Sequence, residues 1–216
     1  GYINKIISLL TLKDYQAAIE VSLESLNIFP NDFDINYFLG IAYYSTEKFI
    51  EAESYYAKSL KIDNNSVPAM HGLAMAYDKN RKWEKSDQLY IDLIARDTKD
   101  AQAYNNYAYS LVERNEEIDY ALTLAEKAIQ LSPNTSAYLD TVGWIYFKLG
   151  NFEKAKEFIA QSIVYDGSSA VVLEHYGDVL VALEEKDEAL VFYKKAFELD
   201  QDNSALSEKI SSYENQ

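Results

Sequence analysis

The sequence predicts an all-α fold, a solenoid of stacked helical hairpins, on three observations. The first is composition. Of 216 residues, 48% are hydrophobic and 25% charged, the balance of a globular protein, while only 7 are Gly and 3 Pro. An all-β chain needs many more turn-forming residues than that. The second is a register of small residues: Gly40, Ala74, Ala108, Gly143 and Gly177 recur at steps of 34, 34, 35 and 34. A period of that length belongs to stacked supersecondary units. The third is periodicity within one unit. Leu39, Ala42, Tyr43 and Thr46 follow helical spacing, and Phe49, Ala52, Tyr56 and Leu60 follow it again.

The elements follow in order as pairs of helices. Unit 1–32 begins inside its first helix, with Lys5 where a core Leu is expected, so this helix reads as truncated and frayed or capping; its second helix carries Ala18. Unit 33–66 places Leu39 before Gly40 and Tyr43 after it, then Ala52. Unit 67–100 repeats this with Leu73, Ala74, Tyr77 and Ser86, and unit 101–135 with Tyr107, Ala108, Leu111 and Ala121. The latter holds one extra residue, in the turn near Asn115 to Ile118. Unit 136–169 has Val142, Gly143, Tyr146 and Ala155; unit 170–203 has Tyr176, Gly177, Leu180 and Ala189. Residues 204–215 form one more helix, with Leu206 and Ile210 inward and Ser207, Glu208, Ser211 and Ser212 toward water, as a polar cap requires. Small residues at each helix crossing let two backbones approach, and large ones fill the space beside them. Tyr15, Phe49, Trp83 and Phe152 share a packing position at the turn into the second helix. Many of the 19 Tyr belong to such positions, with hydroxyls reaching the rim. No linker interrupts the series, so residues 1–216 read as one domain.

Charge and motifs bound the chemistry. The net charge is −15, which disfavours phosphate-backbone binding, so no nucleic-acid partner is expected. Residues 1–108 carry 11 basic and 15 acidic side chains, residues 109–216 carry 9 and 20, so the second half is the more acidic. There is no Cys, which excludes disulfides and thiolate chemistry. No run of about 18 apolar residues is present, so no direct membrane insertion is expected. The opening segment has neither a basic n-region nor a cleavage site, and reads as a fragment or processed chain. His71 and His175 lie three units apart, about 10 Å per unit along a solenoid, too far to share a metal. Glu184, Glu185, Asp187 and Glu188 sit at a helix start, where carboxylates favour the helix dipole. Phosphate-loop, dinucleotide, nucleophile-elbow and zinc-protease motifs are all absent from the sequence. The expectation is a protein that is not an enzyme, with no cofactor and no metal.

The segments NYFLGIAYYSTEKFIEAESYYAKSLKID and AYLDTVGWIYFKLGNFEKAKEFIAQSI resemble the tetratricopeptide (TPR) repeat. The resemblance covers essentially the whole chain, and Pro30 and Pro133 stand at the family's closing Pro, replaced elsewhere by Asn64, Thr98, Gly167 and Gln201. TVGWIYFKLGNFEKAKEF and LEHYGDVL resemble bacterial members, many of them in the cell envelope; by that analogy the compartment leans to the envelope over the cytoplasm.

The resemblance implies a right-handed superhelix whose first helices line a concave groove that binds a peptide or helical segment. Carried onto this chain, the groove positions include Tyr37, Tyr44, His71, Met75, Asn105, Asn106, Tyr109, Asp140, Trp144, Phe147 and Asp178. Tyr37, Tyr44, Met75, Tyr109, Trp144 and Phe147 then form an aromatic and apolar stripe, with His71 exposed beside it, and Asn105 with Asn106 can pair a peptide backbone. Asp140, Glu174 and Asp178 point to a ligand with apolar and basic groups. The Lys/Asn/Arg clamp that holds chaperone C-terminal carboxylates is missing, so an acidic C-terminal peptide is disfavoured. The expected function is a non-enzymatic scaffold for a protein partner. The alternatives are self-association through Ile3, Ile6, Ile7 and Leu10 of the incomplete first unit, or the TPR region of a larger envelope protein or enzyme.

Overall fold

The computed structural model describes residues 1–214, which form thirteen α-helices and, among the described residues, no strand. In chain order these are α1 (Tyr2–Thr11), α2 (Tyr15–Leu26), α3 (Phe33–Ser45), α4 (Phe49–Ile62), α5 (Val67–Lys79), α6 (Trp83–Arg96), α7 (Ala101–Glu113), α8 (Ile118–Leu131), α9 (Ser136–Lys148), α10 (Phe152–Tyr165), α11 (Ala170–Ala182), α12 (Lys186–Leu199) and α13 (Ser204–Glu214). The expected end of the last helix at Asn215 lies outside the described residues. The chain divides into two compact units, residues 1–98 and 99–216. The first holds α1–α6 and the second α7–α13.

The helix boundaries follow from local chemistry. Most first helices are opened by a side-chain cap, which satisfies one of the backbone N–H groups left over at a helix start. Asp32 accepts from Ile35 N, Ser66 from Ala69 N, Asp100 from Ala103 N, Ser169 from Val172 N and Asn203 from Leu206 N. The turn between the two helices of each unit passes through a left-handed residue: Lys13, Glu47, Arg81, Asn115, Gly150 and Glu184 all have positive φ. The extra residue of the fourth unit is accommodated in that turn, where Glu117 takes a second positive φ of 48°.

Packing repeats the same scheme in both units. Within each unit a second helix packs on its own first helix and on the first helix of the following hairpin: α2 on α3 and α4 on α5 in the first unit, α8 on α9 and α10 on α11 in the second. First helices also touch one another, α1–α3–α5 in one unit and α7–α9–α11 in the other, so within each unit they form a row on one side. The small residues sit where helices cross. The Tyr56 ring wedges between Gly40 and Gly72, and the Tyr193 ring lies so close to Gly177 that a Cβ there would fall well inside contact distance. Ala18, Ala52, Ser86, Ala121, Ala155 and Ala189 are all fully buried. The buried serines Ser22, Ser25, Ser59 and Ser86 return their hydroxyls to carbonyls of their own helix, so none is left without an acceptor.

Two expectations change. Ile6 is fully buried in the first unit, because the short α1 still packs on α2 and α3, so it is not open for pairing with another copy; Ile7 is exposed. Trp83, expected to pack at its turn, is 40% exposed. Its neighbour five residues back differs from those of its counterparts. Phe49 leans on the Tyr44 ring at 5.3 Å and Phe152 on Phe147 at 5.6 Å, but the matching place before Trp83 holds Asp78.

Candidate functional site

The first helices of each unit carry the candidate residues that the sequence places. The two units are described separately.

In the first unit, Tyr37 of α3 is half-buried, stacked on Phe33 at 5.9 Å and tilted against Tyr56 at 6.0 Å. Tyr44 lies two turns further along, also half-buried, its hydroxyl pushed up to about 12 by burial and by the charge of Asp78. Asp78 itself accepts the buried Tyr90 hydroxyl at 2.9 Å, and burial together with that contact raises Tyr90 well above the usual tyrosine range. Met75 is half-buried on α5. His71, expected at the surface, is only 5% exposed: α5 seats closely here, because Gly72 leaves room for the Tyr56 ring.

In the second unit the first-helix residues form interlocking layers. Trp144 of α9 is 8% exposed. Its indole is stacked between the His175 ring at 4.0 Å and the Phe147 ring at 4.8 Å, nearly parallel to both. The indole N–H donates to Glu113 of α7 at 2.9 Å, and Lys148 Nζ stands 4.7 Å from the ring centroid. The same His175 places Nδ1 3.0–3.1 Å from both oxygens of the buried Asp140. Trp144 is therefore a fully engaged side chain and not an open anchor. The half-buried residues on this side are Asn106, Tyr109 and Phe147, while Asn105 is 7% exposed.

One layer on, the pattern recurs with different chemistry. Lys209 of α13 donates to Glu174 Oε1 at 2.8 Å and to Asp178 Oδ1 and Oδ2 at 2.6 and 2.9 Å. The buried Tyr193 hydroxyl of α12 donates to Asp178 at 2.7 Å and orients it. Burial alone lowers the Lys209 ammonium, but the hydrogen bonds it donates to Asp178 and Glu174 outweigh it and leave the group raised. Burial, then the Asp178 contact, raises the Tyr193 hydroxyl far above its ordinary value. The acidic residues expected to face a ligand thus have partners within the chain: Asp140 has His175, and Glu174 and Asp178 share Lys209. Sequence reasoning missed Lys209. The signal was present, because Lys209 stands 34 residues after His175 and meets the preceding first helix in the same way.

Rows of hairpins with small residues at their crossings and side-chain layers along one face define a helical-repeat scaffold. Sequence models of the tetratricopeptide repeat match residues 33–66 and 69–102, and the model of anaphase-promoting complex, cyclosome, subunit 3 matches residues 114–196. Curated relatives include superkiller protein 3 of Schizosaccharomyces pombe, 39% identical over 32% of this chain and 5% of that protein. A TPR repeat-containing protein of Methanocaldococcus jannaschii is 27% identical over 87% of this chain and 34% of its own length. Among solved structures, a TPR protein of Thermus thermophilus matches with a TM-score of 0.78 at 19% identity, over 86% of this chain and all of that one. The APC/C hetero-tetramer Cut9–Hcn1 matches with a TM-score of 0.83 at 16% identity, over 96% of this chain and 41% of that one. The chain belongs to the tetratricopeptide-repeat family, whose members generally mediate protein–protein interaction and are generally not enzymes. It spans no more than about a third of the length of the first curated relatives it matches. Among the described residues, no helix is long and apolar enough to cross a membrane.

Proposed function

We propose that the chain is a non-enzymatic scaffold whose first-helix faces bind a segment of a protein partner, and that its repeat units are 1–32, 33–66, 67–100, 101–135, 136–169 and 170–203 with a cap after them. One observation carries this reading. Large aromatic side chains on the first helices stay half-exposed where a core would enclose them: Tyr37 and Tyr44 in the first unit, Tyr109 and Phe147 in the second. Aromatic residues of this kind are favoured anchors for a partner because they offer large apolar area at small entropic cost. The partner class is a segment with apolar and basic side chains, matching the acidic second half.

The test is capture of a partner from the native host with the chain as bait, its identification, and a binding titration. Tyr109→Ala and Phe147→Ala are expected to weaken the identified partner by about tenfold or more, the loss typical of an aromatic anchor. Trp144→Ala is not a suitable probe, because its effect on folding will mask any effect on binding.

A further inference from the structure

Helices α7, α9 and α11 of the second unit carry four carboxylates: Glu113, Asp140, Glu174 and Asp178. Three of them meet a basic side chain inside the unit. Asp140 has the His175 imidazole, and Glu174 and Asp178 share the Lys209 ammonium. Glu113 is the exception. Among the described residues it makes one hydrogen bond, accepting the Trp144 indole N–H on Oε1 at 2.9 Å, and it pairs with no cation. Lys148 Nζ stands 4.7 Å from the centroid of the same indole without reaching Glu113.

That one bond fixes Glu113 more firmly than an exposed glutamate is ordinarily fixed. The indole is clamped between His175 at 4.0 Å and Phe147 at 4.8 Å, so the acceptor of its N–H is held in one place. A carboxylate offers about four lone-pair directions, and the indole takes one of them. The rest, Oε2 included, stay open to a ligand because Glu113 is exposed. Glu113 also closes α7, where the carbonyls at a helix end favour a cation over an anion. Two half-buried rings flank it. Tyr109 lies one turn earlier on α7, on the same helix face, and Phe147 lies on the far side of the indole.

We propose that Glu113, with Tyr109 and Phe147, is the subsite that receives an arginine side chain of the partner segment. It rests on the partner-binding reading above and deepens it, by naming the acidic group that meets the partner's basic residue. The carboxylate is already aimed, so little ordering is lost when the cation arrives. A guanidinium suits the place better than an ammonium. Its planar fork pairs with both oxygens of a carboxylate and lies flat against an aromatic ring, and a lysine does neither.

The experiment needs no identified partner. The isotope-labelled chain is titrated at constant ionic strength with N-acetyl-arginine methylamide, and in parallel with N-acetyl-lysine methylamide, a probe of equal charge. The NMR signal of the Trp144 indole N–H is the reporter. The chain has two Trp, so Trp83→Phe assigns it. The arginine probe is expected to move this signal and to saturate at millimolar concentrations, and the lysine probe to bind about threefold or more weakly. Glu113→Gln keeps an amide oxygen for the indole and removes the charge. It is expected to weaken the arginine probe by about threefold or more at an unchanged melting temperature. A Trp144 signal unmoved by arginine up to about 100 mM overturns the proposal. So does equal binding of the two probes by the unaltered chain, or equal binding of arginine by Glu113→Gln. Any of these removes the arginine subsite alone. The broader reading fails separately, through the affinity of the identified partner for Tyr109→Ala and Phe147→Ala.

Discussion

Trp144 is held from every side: His175 and Phe147 stack on its faces, Glu113 accepts its N–H, and Lys148 stands over the ring. Removing it opens a cavity and strips His175 of its stacking partner above the buried Asp140. Trp144→Ala is expected to cost about 3–5 kcal/mol in urea unfolding, the range for a buried aromatic. A loss below about 1 kcal/mol would mean that the indole is not packed as described. The titrating residues make a second prediction. Tyr44 is pushed up to about 12 by burial and the Asp78 charge, and Tyr90, Tyr193 and Lys209 are also raised. A group whose folded value is raised keeps its proton longer in the native state than in the unfolded one. Its contribution to stability is fully present below the unfolded value near 10 and is lost as pH climbs through the folded value. The urea midpoint is therefore expected to fall steadily above about pH 10. A flat profile to pH 12 would contradict the burial of these hydroxyls.

At the scale of the helix, glycines separate two kinds of constraint. Gly177 sits in a regular helix with the Tyr193 ring against it, and that ring is itself 1% exposed and tied to Asp178. Gly177→Ala is expected to destabilise by about 1–3 kcal/mol, as overpacking does, despite the better helix propensity of Ala. Gly150 has open space around it and a φ of +75°, so Gly150→Ala is expected to cost about 1 kcal/mol through the backbone alone. Glu47 holds the matching turn at φ +58°, and Glu47→Gly is expected to stabilise by about 0.5–1 kcal/mol. Thermal or urea midpoints of the three variants check these signs.

The helices were legible in the sequence because each unit repeats the same physical problem. A small residue must recur where two helices cross, and Gly40 to Gly177 mark that place at a near-constant step. The caps Asp32, Ser66, Asp100, Ser169 and Asn203 carry the same register and mark the helix starts independently. The candidate site was less legible, because its layers depend on residues that do not repeat. Trp144 is covered by His175 and Phe147, and Trp83 is 40% exposed; neither outcome follows from a position's place in the period. Lys209 is the intermediate case, visible once the register is continued one step past the sixth unit.

At the scale of the whole molecule, the period fixes architecture and the departures from it fix chemistry. The net charge of −15 is concentrated in the second half, where 20 acidic side chains face 9 basic ones. Within that half the buried and half-buried carboxylates are already paired, so under the proposed function the remaining acidic surface would act at longer range, as electrostatic steering of a basic partner. Association of the identified partner is expected to slow severalfold between low and physiological salt, while dissociation changes little. A salt-independent on-rate would remove steering from the account. The most direct test of the central claim is the affinity of that partner for Tyr109→Ala and Phe147→Ala chains, measured beside their melting temperatures. A loss of about tenfold or more in Tyr109→Ala at a nearly unchanged melting temperature is the predicted result, and Phe147→Ala is read against the fall in melting temperature that its stacking on Trp144 implies. Unchanged affinity at an unchanged melting temperature would contradict it, and would take the first-helix aromatics out of the binding surface.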